Sequence, residues 1–168
     1  MREMSVVVIA RRVGAGLLFM LFAAAASAQA AGEAIEVESA WARASAGAGR
    51  TGVVYVRLVN RGGTADALLG AETARAERAA LHEHRHEGEV MKMRPVPRIE
   101  IPPGATIELK PGHRHIMLFG LAKPLDEGES FVVTLLLESA GALEVTVQVA
   151  GVAAMGPGEE HKAHDDHD

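Results

Sequence analysis

The chain has 168 residues, no cysteine and a formal net charge of −5. That length fits one domain, and the acidic balance excludes a basic nucleic-acid footprint. The lack of thiols excludes disulfide staples, thiolate metal sites and cysteine nucleophiles.

Residues 1–30 read as a secretory signal peptide. Arg2, Arg11 and Arg12 supply a basic start, Val13 to Ala26 is apolar apart from two glycines, and Ala28-Gln29-Ala30 offers a small-residue cleavage site. The apolar run is shorter than the roughly 20 residues of a membrane span. An uncleaved anchor is the alternative, and Arg11-Arg12 also suggests twin-arginine export, although the residues after the pair favour general secretion. Cleavage after Ala30 removes a net charge of +2 and takes the chain from −5 to −7.

The expected domain spans residues 31–155 and reads as all-β. Ile35 to Arg43 alternates through Ile35 and Val37 and opens it, with Trp41 as a core residue. Ser45 to Gly52 is a Gly-rich loop. Val53 to Val59 is the clearest strand, β-branched and bounded by Gly52 and Asn60. Ala67 to Glu72 is a weaker strand. Ala74 to Ala80 has a helical composition, yet a loop running into a strand at Ala79 to His84 suits its surroundings better. Further strands are expected at Val90 to Val96, Ile99 to Ile101, Ala105 to Lys110, His115 to Leu121, Phe131 to Glu138 and Leu143 to Val149. Pro102-Pro103-Gly104 and Pro111-Gly112 supply turns. Short strands at near-regular spacing predict a sandwich or barrel. Residues 156–168 differ: they are polar, rich in His, Asp and Glu, and expected to form a flexible tail.

The segment His82 to Met117 holds five of the eight histidines and three of the seven methionines. Imidazole and thioether without thiolate suit a soft ion, Cu(I) above all. Residues i and i+2 of a strand share a face, so His115 and Met117 form one donor pair. Met91 and Met93 form another, and His82, His84 and His86 a third set. Such donors are expected near one exposed end of the barrel. The plainer alternatives are solvated histidines and methionines that fill gaps in a core.

The spacing His82-x10-Met93-x21-His115-x-Met117 resembles the motif that defines the periplasmic PCuAC copper chaperones. Leu81-His82-Glu83, Val90 to Val96, Ile101 to Gly104, Leu109 to Gly112 and His115 to Leu121 share the resemblance, which covers roughly residues 34–152. It implies a cupredoxin-like Greek-key β-barrel binding Cu(I) through His82, Met93, His115 and Met117. It also implies periplasmic delivery of copper to the CuA centre of a respiratory oxidase, either to the apo-CuA subunit or through another copper-relay protein. A copper buffer or resistance protein without a dedicated acceptor is the alternative.

Many PCuAC proteins have methionine at the positions of His84 or His86. His84 and His86 are therefore additional candidate donors, and Met91 and His113 of the same segment are further candidates. Tail residues His161, His164 and His167 are expected to form a second copper site suited to Cu(II). No nucleic acid and no small-molecule substrate are expected. The expected state is a monomer, with a metal-bridged dimer as the alternative. An enzyme is not expected, since no Ser/His/Asp arrangement is legible. A blue-copper electron carrier would need a cysteine ligand.

Overall fold

The computed structural model describes residues 34–45, 51–88 and 90–157, with the side chains of His86 and Glu87 excepted. The expected signal peptide and the histidines of the tail lie outside the described residues. Among the described residues there is no helix, and so none long and apolar enough to cross a membrane.

Among the described residues there are ten strands. They are β1 (Ile35–Arg43), β2 (Gly52–Asn60), β3 (Asp66–Glu72), β4 (Ala76–Glu87), β5 (Val90–Pro95), β6 (Ile99–Ile101), β7 (Thr106–Glu108), β8 (Arg114–Leu121), β9 (Ser130–Leu137) and β10 (Gly141–Ala150). Their hydrogen-bonded order is β5-β4-β8-β2-β1-β10-β9-β3-β6, with β7 added to β2. Among the described residues, the β1–β10 pairing is parallel and the other ladders are antiparallel. A single large core takes Val54, Val56 and Leu58 from β2, Leu81 from β4, Ile116 and Leu118 from β8, and Val145, Val147 and Val149 from β10. One face of the strand path thus encloses one interior. The fold is all-β.

β4 is the main departure from the sequence reading. It starts at Ala76 and runs 12 residues, well beyond the expected Ala79 to His84. Its alanines and charges favour helix locally, but its ladders to β8 and β5 run the length of the strand. Cross-strand pairing and burial of Leu81 outweigh a local preference of a few tenths of a kcal/mol per residue. β7 is shorter than expected, three residues instead of Ala105 to Lys110. Leu109 still reaches the core, held by its N–H to the carbonyl of Val56 at 2.9 Å.

Trp41 is buried, though outside the main core. It packs with Tyr55 and Ala154 in a separate cluster on the other side of the strands. The chain after β10 folds back there, and Arg43 Nε donates to the carbonyl of Ala154 at 2.8 Å.

Candidate metal site

Pairing registers bring the expected donors together. His82 of β4 stands directly opposite His115 of β8. His84 stands opposite Met93 of β5, and His86 opposite Met91. Met117 is opposite Ala80 on one side and Val53 on the other. By the two-residue period of a strand, all these positions share one face. Their chain neighbours Leu81, Ile116 and Leu118 point into the main core. The donors therefore lie on the outward side of the strands, at the end of the β4–β8 ladder.

His115 is the centre of this face. It is only 2% exposed, one of three buried polar residues among those described. Its ring lies 6.1 Å from that of His82, nearly parallel at 17°, and 5.1 Å from that of His84. Tyr55 meets it edge-on at 6.5 Å and lies in turn against Trp41 at 4.5 Å, the two rings tilted by 36°. Phe119 closes the far side of His82 at 5.8 Å and carries the Arg78 guanidinium over its ring at 4.0 Å. These aromatic side chains form an apolar wall that the spacing of donors did not reveal. The sequence signals for it are Tyr55, outward by parity on a strand with an apolar even face, and Phe119, two residues after Met117 on β8.

The two ring nitrogens of His115 differ. Nδ1 lies 3.2 Å from the carbonyl of His113, as for a ring donating its proton there. Nε2 is buried and has no hydrogen-bond partner. A buried lone pair without a partner is costly, and a neutral imidazole fixed through Nδ1 is the form that ligates a metal through Nε2. Burial holds the His115 pKa below the usual histidine value. The carbonyl of His113 opposes this, and the neighbouring His84 and His82 add to it.

That shift has a sign for stability. Below pH 6.5 the unfolded chain takes up a proton at this position that the folded chain refuses. The metal-free protein should therefore lose stability as pH falls from about 6.5 towards the lowered folded pKa, and gain nothing from this group above 6.5. Urea midpoints at pH 7.5 and 5.5, compared with those of His115→Leu, check it: the variant should have the flatter profile.

The other candidates divide. Met93 is 43% exposed and Met91 49%, so neither fills a core. Met117 is half-buried, as are His82 and His84. His113 has an exposed side chain and contributes through its carbonyl, which also accepts the N–H of His84 at 3.2 Å. His86 is placed by its register alone, and His161, His164 and His167 lie outside the described residues. Among the described residues, no three His, Asp or Glu side chains are grouped to hold an ion by nitrogen and oxygen alone. An ion at His115 would draw on sulfur, and the register supplies Met93 and Met117 on the same face.

The family model described as "Putative lipoprotein LpqE-like" matches residues 35–149, from the start of β1 almost to the end of β10. The chain belongs to this family. The LpqE-like chain is similar to the curated "Putative lipoprotein Lxx21020" of Leifsonia xyli subsp. xyli. The two are 34% identical over 128 residues, which cover 74% of this chain and 76% of that protein. Among solved structures it is similar to CuI-DR1885 from Deinococcus radiodurans, a solution structure. The TM-score is 0.54 at 31% identity, over 74% of this chain and 85% of the other. The apo PCuAC domain from PmoF1 superposes with a TM-score of 0.60 over 70% of this chain and 94% of its own length. Its 24% identity speaks for the fold alone. The LpqE-like chain is thus of PCuAC type in family and in fold, as its sequence resemblance implied.

Proposed function

We propose that this protein is an extracytoplasmic copper chaperone. It binds Cu(I) through His82, Met93, His115 and Met117 and passes the ion to the CuA centre of a respiratory oxidase. The observation that carries the reading is the buried, unpartnered Nε2 of His115, set on a face shared with two thioethers and a second imidazole. The relative from Deinococcus radiodurans was solved with Cu(I), which supports the choice of ion. None of the four ligands carries a negative charge, so Cu(I) is held as a soft monocation without the strong thiolate bonds that would slow its transfer. Thioether sulfur needs no deprotonation, so the site keeps half of its ligands under mildly acid conditions.

In this reading residues 1–30 export the chain to the periplasm, residues 31–155 form the copper domain, and residues 156–168 carry a second site for Cu(II) at His161, His164 and His167. The protein acts as a carrier, not as an enzyme, and works as a monomer.

Anaerobic titration with Cu(I) against a competing chelator, with and without residues 159–168, tests the site. One tight equivalent that survives removal of the tail is expected. Loss of all tight binding with the tail would place copper there and sink the core assignment. Transfer from the loaded chain to an apo-CuA domain tests the delivery. No transfer within the lifetime of the loaded protein would leave a copper buffer as the function.

A further inference from the structure

Burial falls along one line of donors. His115 is 2% exposed, His82 and His84 are half-buried, and Met93 and Met91 are 43% and 49% exposed. Tyr55 and Trp41 line the side away from β5, and Phe119 lies against His82 further along the β4–β8 ladder. β5 is an edge strand with all six residues exposed, and among the described residues no strand pairs with its outer side. An ion held by Nε2 of His115 therefore meets a chelator or an acceptor from the β5 side.

The β4–β5 register places soft donors in successive rungs on that side. His84 faces Met93, and His86 faces Met91. Rungs two residues apart are separated by about 7 Å along a strand. The His84 ring lies 5.1 Å from that of His115, nearer than the 6.1 Å of His82, although His84 is outside the four-residue ligand motif. A donor so close to a buried ligand is placed to take hold of the ion before that ligand lets go.

We infer that copper reaches and leaves His115 along the outward face of the β4–β5 hairpin, with His84 and Met91 as transfer donors outside the resident ligand set. This rests on the Cu(I) reading above. In each step a bond from copper to the incoming nitrogen or sulfur forms before the bond to the outgoing donor breaks. Copper stays Cu(I) and no electron moves; each incoming donor binds through a nitrogen or sulfur lone pair. The rungs thus keep the ion coordinated between the buried ligand and the exposed strand.

The test loads the full chain with one equivalent of Cu(I) and follows its loss to excess bicinchoninate by stopped flow. The variants are His84→Val, Met91→Ile and the double variant, with β-branched residues chosen to suit the strand. Equilibrium Cu(I) affinity is expected to stay within about threefold, while the release rate of the double variant falls by roughly tenfold or more. Because affinity is retained, the loading rate must fall by the same factor. A release rate unchanged within about twofold would overturn the inference. So would a parallel loss of affinity, which would make His84 a resident ligand. Met91→Ile lies on an exposed edge strand and keeps the test open if His84→Val does not fold. Failure of the wild-type chain to hold one tight Cu(I), or a His115→Leu variant that binds as well as wild type, would instead defeat the underlying copper reading.

Discussion

His115→Leu is expected to lower Cu(I) affinity by roughly 100-fold, about 2.8 kcal/mol at 1.4 kcal/mol per tenfold, while the metal-free protein keeps or gains stability. The two halves of this expectation share one cause. Nε2 of His115 is buried and unpartnered without metal, so the folded apo chain carries the cost of a desolvated acceptor, on the order of 1–3 kcal/mol. Leucine removes that acceptor and keeps apolar contact with Tyr55. The carbonyl of His113 loses its Nδ1–H contact but still accepts the N–H of His84. Nothing buried is newly stranded, which is the condition under which replacing a polar group is neutral or favourable. Thermal melts with and without Cu(I) check both halves. Wild type should gain more stability on adding copper than His115→Leu, by up to about 2.7 kcal/mol. A variant that unfolds without metal would show that the ring is needed for packing and not for the ion.

Asp66→Ala is expected to destabilise the fold by about 3 kcal/mol without changing Cu(I) affinity per folded molecule. Asp66 is buried, and its two carboxylate oxygens accept three backbone N–H groups: Ala67 at 2.7 Å, Ser139 at 2.9 Å and Ala140 at 3.0 Å. Ser139 and Ala140 belong to the turn between β9 and β10, and Glu138 N–H also reaches back to the carbonyl of Ala67 at 2.9 Å. Alanine would take the acceptor from the buried N–H of Ala67 and from the two part-buried N–H groups of the turn, and hydrogen bonds to a charged acceptor are the stronger kind. Asp66→Asn keeps one acceptor oxygen but turns an amide N–H₂ towards a donor, so it should cost less than alanine and more than nothing. Urea unfolding gives the answer. A midpoint for Asp66→Ala equal to that of wild type would mean that the turn holds itself through the β9–β10 ladder.

Strand after strand was legible because a half-buried strand writes its two faces into alternate residues. β1, β2, β6 and β8 to β10 fall within two residues of where the alternation puts them. That the candidate donors share a face was legible for the same reason: in His115-Ile116-Met117 and His82-Glu83-His84, residues two apart point to one face. β4 was not legible along its whole length. Ala76 to Ala80 has no strand-like composition, and it is a strand because β8 lies beside it. Asp66 stands just before the expected strand Ala67 to Glu72, and nothing local marks it as the anchor of a turn some 70 residues later.

What the sequence determined by itself is the all-β pattern, the lack of any thiol and the spacing of four soft donors, since all three are local properties of residue type and period. What only the tertiary structure decided is which rungs face each other. The opposition of His82 to His115, the nearness of His84 to His115, the wall of Trp41, Tyr55 and Phe119 and the stranded Nε2 all depend on registers between segments far apart in the chain. A register slip of one residue would turn each of those side chains to the other face. It is set by the pairing of distant apolar faces around one core, which no single stretch of the chain contains.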